Sequence, residues 1–141
     1  MSRTIRRRLR ILVLMQPELI PPASTEGLSE RDMYEIKTEY DVLRTLRAQG
    51  HDVRELGVRY ELLPIREAVE EWKPHVVFNL LEDFFGLRAF DHHVVSYLEL
   101  LRVPYTGCNP RGLVLARDKA LSKKVLAYHR IALPRFDVVK R

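Results

Sequence analysis

The sequence contains one cysteine, Cys108, among its 141 residues. A single cysteine cannot form a disulfide within the chain and cannot build a cysteine-based zinc site. Glycine-rich phosphate motifs are also missing. No phosphate loop and no Gly-x-Gly-x-x-Gly follow the first apolar run, which removes the common mononucleotide and dinucleotide sites. No Gly-x-Ser-x-Gly elbow is present, and we assign no catalytic residue.

The apolar run near the N-terminus is short. Residues 11–15 read Ile-Leu-Val-Leu-Met and follow a basic stretch, but this run is too short for a signal-peptide core or a membrane span. We therefore expect a soluble cytoplasmic protein that does not interact with a membrane.

Excess positive charge is confined to the first residues. The formal net charge is +5, and five arginines fall within the first ten positions: Arg3, Arg6, Arg7, Arg8 and Arg10. The rest of the chain carries equal numbers of basic and acidic residues, so it lacks the broad basic face that neutralises a phosphate backbone. Nucleic acid is therefore a disfavoured partner. Residues 1–9 are predicted to be a basic tail, either a solvated terminus or the leading flank of the first strand.

Apolar patterning predicts the sheet. Two continuous apolar runs, 11–15 and 76–81, are typical of strands covered on both faces, and the second is the best candidate for a central strand. Shorter runs at 51–56 and 103–106 predict two further strands. Because helical patterns separate these runs, we predict an α/β fold for residues 10–108. It is a Rossmann-like open parallel sheet of about four strands with helices on both faces.

Helix signals fill the gaps between the strands. Ser29 is the predicted N-cap of a helix of about five turns that ends at Gly50. Pro64 opens a shorter helix, and Asp91 is the predicted N-cap of a third helix that ends near Leu101.

Residues 109–141 are predicted to form connecting helices and the first strand of a truncated module. Asn109 begins a turn or a short first helix, and Asp118 caps the second helix. The apolar face of the second helix is expected to point inward: Leu121, Val125 and Tyr128. Residues 136–140 would start a strand with no partner in the remaining sequence. We therefore expect the folded unit to extend beyond the last residue given.

Lys119 lies in the predicted first turn of the last helix, where exposed N–H groups already carry about half a positive charge. A cation is electrostatically out of place there unless an anion binds, since phosphate can accept from those N–H groups and from the ammonium together. The alternative is a solvated lysine whose flexible side chain swings clear of the helix end. Position alone leaves both interpretations open.

Acidic residues follow the apolar run at 76–81. Glu82 and Asp83 lie at its carboxyl end, the edge at which open parallel sheets bind ligands. Glu30 lies next to the long loop after the first strand and would reach the same edge. These carboxylates are candidates for binding a substrate ammonium group. An ordinary solvated acidic loop is the alternative.

The histidines and the cysteine give weaker signals. His92 and His93 are adjacent on a helix and therefore point about 100° apart, unlike the i, i+4 pair of a helical metal site. Cys108 has no partner cysteine and no base nearby in sequence, so we expect a small buried thiol rather than a nucleophile. We assign no metal ligand.

Three motifs occur in a characteristic order: Pro-Tyr-Thr-Gly at 104–107, Asp-Lys-Ala-Leu-Ser-Lys at 118–123, and Ile-Ala-Leu-Pro at 131–134. In order and spacing the chain resembles the ATP-grasp superfamily, and within it the D-alanine–D-alanine ligases. The match extends over roughly residues 73–140. Each motif alone is weak evidence for the family, but the three motifs together are fairly specific to it.

The resemblance implies the Rossmann-like domain that precedes the ATP-grasp module in enzymes joining a carboxylate to an amine through an acyl phosphate, with ATP and magnesium. It implies that Lys119 contacts nucleotide phosphates, in agreement with the helix-terminus argument. The implied partners are an amino-acid-like substrate and a C-terminal ATP-grasp module, in the same or a separate chain, with a homodimer as a further option. Without that module we expect neither ligation nor tightly bound cofactors.

Departures from the family pattern leave the substrate open. Ligases that make the alanine dipeptide carry a His-Gly loop with a Gly-Glu-Asp-Gly run after the third strand, whereas residues 79–86 read Asn-Leu-Leu-Glu-Asp-Phe-Phe-Gly. Arg130 replaces the glycine of the family's Gly-Ile-Pro. Two hypotheses follow: an incomplete carboxylate–amine ligase domain, and a stand-alone α/β small-molecule-binding or regulatory module without catalysis.

Overall fold

A computed structural model describes residues 7–139 of the chain. Its parallel sheet has the strand order β2-β1-β3: β1 is Arg10–Met15, β2 is Asp52–Gly57 and β3 is Val76–Asn79. The central strand is therefore β1. The prediction that the run at 76–81 forms the centre of the sheet was wrong, because its outer edge meets only one short segment.

Among residues 7–139, six α-helices connect and cover the strands: α1 Glu30–Glu35, α2 Lys37–Ala48, α3 Leu63–Trp72, α4 Asp91–Leu100, α5 Pro110–Arg117 and α6 Lys119–Tyr128. Short 3-10 turns lie at Pro17–Leu19 and Arg88–Phe90. The alternation of strands and helices confirms the predicted α/β class. No helix among these residues has the length and apolar character needed to cross a membrane.

The strand β1 contributes to two cores, because neighbouring side chains of a strand point to opposite faces. One core joins β1 to α3 and α4: Leu12, Leu14, Ile65, Val94 and Leu98. The other lies beneath α2: Ile11, Val13, Met15 and Leu43. Helices thus cover both faces of the sheet, as the sequence predicted.

The predicted fourth strand is reduced to one parallel bridge between Val77 and Tyr105. The Val77 N–H donates to the Pro104 carbonyl at 2.8 Å, and the Thr106 N–H donates to the Val77 carbonyl at 2.9 Å. The ladder goes no further because Pro104 has no N–H to donate and the chain turns at Gly107, whose φ is 101°.

Two element boundaries differ from the prediction. The long helix after Ser29 is interrupted at Ile36, whose φ of −97° and ψ of 5° separate α1 from α2. Ser29 does cap α1, in a reciprocal capping box with Asp32. At the other boundary, β3 ends at Asn79 because the Asn79 side chain accepts from the Leu81 N–H at 3.3 Å and turns the chain.

Asp91 is not the N-cap of α4. Phe90 occupies that position without a side-chain hydrogen bond, and Asp91 is the first residue of the helix. Its carboxylate accepts hydrogen bonds from two nitrogens of Arg117 instead of capping the helix.

The C-terminal region differs most from expectation. Asp118 caps α6, as predicted, and Asn109, where the sequence predicted the start of a turn or short helix, caps α5. The apolar face of α6, however, does not point inward: Leu121, Val125 and Tyr128 are 44%, 37% and 84% exposed. Residues 131–139 form no strand, since no strand edge lies beside them to complete a ladder. Lys140 lies outside the described residues.

Candidate functional site

The loops after the three strands meet at the carboxyl edge of the sheet and contact one another. The Gln16 side chain, after β1, donates from Nε2 to the Asp83 carbonyl at 3.3 Å. The Phe85 N–H, after β3, donates to the Arg59 carbonyl at 2.8 Å, and the Arg59 guanidinium forms an ion pair with Glu18. These contacts join the three loops into one surface at the edge where open parallel sheets bind ligands.

Charge at this edge is partly compensated. A hydrogen bond from its own backbone N–H, together with the Arg59 guanidinium, lowers the pKa of Glu18, against an opposing effect of burial. Hydrogen bonds to Tyr60 and Glu18 raise the pKa of Arg59. The ion pair therefore stays charged through the neutral range, and it spans the loops after β1 and β2.

The predicted carboxylates do not all line one cavity. Glu82 is exposed and Asp83 is half-buried, both in the loop after β3. Glu30 is exposed in the first turn of α1. It lines a cleft of about 420 Å³ together with Leu28, Met33, Tyr34, Lys37, Tyr40 and Asp41. Neither Glu82 nor Asp83 belongs to that lining, so Glu30 and the other two carboxylates mark separate candidate sites.

The loop after β3 also carries an aromatic pair that the sequence did not reveal. Phe85 adopts a φ of 61°, in the left-handed region, which costs roughly 1–3 kcal/mol for a residue other than glycine. Its ring meets the Tyr60 ring edge to face, with centroids 5.0 Å apart and planes at 71°. Phe85 is 57% exposed and Tyr60 is 53% exposed. The sequence Phe84-Phe85-Gly86 indicates an aromatic residue in a turn. Nothing in it indicates that the Phe85 ring contacts Tyr60, which follows β2.

The tip of α6 presents Lys119 beside the cap residue Asp118. Asp118 Oδ1 accepts from the Leu121 N–H at 2.8 Å, and the Lys119 side chain is exposed. Helix geometry leaves the Lys119 and Ala120 amides without acceptors inside the helix. Two amides and one ammonium can therefore donate to an anion at this tip.

A part-buried ion pair lies next to the tip of α6. Asp91 is only 8% exposed, and Arg117, which binds both oxygens of its carboxylate, directly precedes Asp118 in the chain. Nearby, the Nδ1 atom of His92 is buried without a hydrogen-bond partner, 4.0 Å from Asp91 Oδ1. Sequence reasoning missed the pair because its residues are separated by 26 positions.

Cys108, His92 and His93 are the remaining residues that the sequence singled out. Cys108 is exposed, so the expectation of a buried thiol was wrong: the residue lies in the turn after Gly107, where no core packs against it. His92 and His93 stack with their centroids 3.9 Å apart. Within residues 7–139, no group of three or more His, Cys, Asp or Glu residues is placed to hold a metal ion.

Comparisons with known proteins give one consistent result. The D-alanine–D-alanine ligase of Syntrophotalea carbinolica is 33% identical over 115 residues, which are 82% of this chain and 36% of that protein. The enzyme of the same name from Pseudothermotoga lettingae is 30% identical over 115 residues, 82% of this chain and 37% of that protein. No protein-family model matches the chain.

Among solved structures, the D-alanine–D-alanine ligase of Bacillus anthracis, complexed with ATP, superposes with a TM-score of 0.64. The two chains are 24% identical, and the superposition covers 92% of this chain and 37% of that one. The fold is therefore shared. The chain described here spans little more than a third of the length of the curated relatives it matches.

Proposed function

Because the chain is homologous to the N-terminal part of D-alanine–D-alanine ligases, which are ATP-grasp enzymes, we propose that it is the substrate-side domain of an ATP-dependent carboxylate–amine ligase. Acting alone it lacks a complete active site. Amino acids or short peptides are the substrates that fit this class, and an ATP-grasp module, in the same or a separate chain, completes the enzyme.

The observation that carries this proposal is the match of 33% identity over 115 residues to a ligase of which those residues cover 36%. The uncovered apolar surface of the C-terminal helices supports it. Neither α5 nor α6 contains a buried residue, and Val114, Leu121 and Val125 are each more than a third exposed. Helices of a folded unit normally bury an apolar stripe, so a further module is the natural cover for this surface.

We assign ATP-phosphate binding to Lys119. Its ammonium and the first amides of α6 form a small cationic site on an open surface, and phosphate oxygens can accept from all three donors. Asp118 places its carboxylate on the Leu121 amide, which leaves the Lys119 and Ala120 amides free for the ligand. The roof of a nucleotide pocket has to come from the partner module.

We assign substrate binding to Glu82 and Asp83, with Glu30 as an outlying candidate. The first two lie in a loop fixed to β1 by the Gln16–Asp83 hydrogen bond, so their position at the carboxyl edge is maintained without ligand. A substrate ammonium is the group that such carboxylates recognise. ATP and magnesium belong to the complete enzyme. The described residues offer no cluster of metal ligands, so we expect the magnesium ligands to come from the partner module.

The proposal is tested by supplying the missing part. The chain is mixed with, or fused to, the C-terminal portion of the Syntrophotalea carbinolica ligase, and phosphate release from ATP is measured with a panel of amino acids. We expect amino-acid-dependent release that Lys119→Ala weakens. Complete absence of release with every amino acid, in a fusion that is folded by circular dichroism, would overturn the proposal.

A stand-alone binding module is the second candidate. The observation in its favour is the cleft of about 420 Å³ beside α1 and α2, which the chain forms from its own residues. Calorimetry distinguishes the two functions. Micromolar binding of a small metabolite to this chain alone, unaffected by Lys119→Ala, favours the binding module.

A further inference from the structure

The carboxyl edge carries an exposed aromatic pair that the proposed function does not use. Tyr60 follows β2 and Phe85 follows β3, so the two rings come from loops on opposite sides of the central strand. Neither residue belongs to a buried core cluster. The two exposed rings contact each other, with centroids 5.0 Å apart, and together offer an apolar surface at the edge where open parallel sheets bind ligands.

The position of the pair is fixed by contacts from all three loops. The Phe85 N–H donates to the Arg59 carbonyl, and Phe84 and Leu87 form an antiparallel bridge around the turn. Arg59 in turn lies over the Tyr60 ring at 5.7 Å and forms the ion pair with Glu18. The rings are therefore held in place before any ligand arrives, which lowers the entropy lost on binding.

Backbone strain at Phe85 also indicates a ligand-binding role for this residue. Its φ of 61° is a conformation that favours glycine, yet Gly86 follows at a φ of 71° and already provides conformational freedom in this turn. Phe85 gains no core burial in compensation, because it is more than half exposed. A strained aromatic residue that adds little to the core is typical of a binding site.

We propose that Tyr60 and Phe85 form one wall of the substrate site and select an amino-acid-like substrate with an aromatic or large apolar side chain. Glu82 and Asp83, which come three and two residues before Phe85, bind its ammonium group, and the ring edges and faces contact its side chain. This inference rests on the proposed function, because it takes the carboxyl edge to be the substrate side of a ligase.

The test measures binding of phenylalanine amide and alanine amide to the full chain by NMR titration of its backbone amides. We expect phenylalanine amide to bind about tenfold more tightly, because its ring removes apolar area from water. Phe85→Asn and Tyr60→Ala should each remove most of this preference. Tyr128→Ala is the matched control, since it deletes a ring that is 84% exposed on α6 and should leave the preference unchanged.

Thermal unfolding separates a binding role from a structural one. Asparagine tolerates the left-handed region, so Phe85→Asn should keep or raise the melting temperature while the preference for the aromatic amide is lost. A clear fall in melting temperature would identify Phe85 as a structural residue and overturn the inference, as would equal affinity of the unmodified chain for both amides. The ligase proposal fails separately, through absent phosphate release with every amino acid.

Discussion

Arg117, the last residue of α5, donates from Nε and Nη2 to the two carboxylate oxygens of Asp91, the first residue of α4. The interaction connects the C-terminal helices to a helix whose Val94 and Leu98 lie in the core. Because Arg117 directly precedes the cap of α6, the same pair sets where that helix begins. The start of α6, which carries Lys119, is thus connected to the core through this pair.

Removing the arginine should destabilise the fold. Arg117→Ala leaves the Asp91 carboxylate buried without its partner, and we expect a loss of about 2–3 kcal/mol in the free energy of unfolding. Urea denaturation followed by circular dichroism measures this. The control is Arg31→Ala, whose ion pair with Glu35 is exposed and should contribute less than about 0.5 kcal/mol. Equal effects of the two substitutions would contradict the prediction.

The close approach between Gly57 and the loop after β1 should tolerate no added methyl group. A Cβ atom at Gly57 would lie 2.9 Å from the Pro17 Cα and 3.0 Å from the Ile20 Cδ1. Since the proline backbone cannot move aside freely, we expect Gly57→Ala to cost about 1–3 kcal/mol. Gly112→Ala, where the nearest atom is the movable Cys108 Sγ, is the control and should leave the urea midpoint unchanged or raised. If Gly57→Ala leaves the free energy of unfolding unchanged, the loop after β1 can shift to make room for the methyl group.

The effect of the Asp118 cap on stability should be separable from the effect of Lys119 on phosphate binding. Asp118→Ala removes the acceptor of the Leu121 N–H and should cost about 1 kcal/mol, with faster hydrogen exchange at that amide. Lys119→Ala removes an exposed side chain and should change the free energy of unfolding by less than about 0.5 kcal/mol. Binding of inorganic tripolyphosphate should weaken in the Lys119 variant. If it does not, Lys119 is a solvated lysine.

Tyr105 should make the fold sensitive to alkaline pH. Burial, and then the hydrogen bond to Glu99, raise its pKa from 10.0 to about 12. The unfolded chain therefore loses this proton first, so the contribution of Tyr105 is fully present below pH 10 and is lost as the pH approaches 12. The urea midpoint is measured at pH values from below 10 to about 12. Over this range the midpoint of the unmodified chain should fall more steeply than the midpoint of Tyr105→Phe. Parallel curves would refute the prediction.

Local patterns predicted most of the fold. Ser29 and Asp118 cap helices as expected, because capping depends on side chains within a few residues. The run at 11–15 and the first four residues of the run at 76–81 form strands, because continuous apolar patterning is also a local signal. The order of the strands was not predictable from composition alone, since two equally apolar runs can exchange places in a sheet until their pairing is known.

The site was less predictable because its interactions are distant in sequence. Asp91 was interpreted as a local cap, whereas its partner is Arg117. Phe85 and Tyr60 belong to different loops, and no periodicity relates them. Lys119 could be placed at a helix start from Asp118 alone, but no local pattern tells whether a phosphate binds there.

The strand order has a consequence for how the protein is made. β1 is synthesised first, but Arg10 donates to the side chain of His75, which lies 65 residues later, and β1 is paired on both edges only when β2 and β3 are in place. During translation one edge of this apolar strand therefore stays unpaired until β3, which ends at Asn79, has left the ribosome. The nascent chain should need a chaperone over that interval more than the finished protein does.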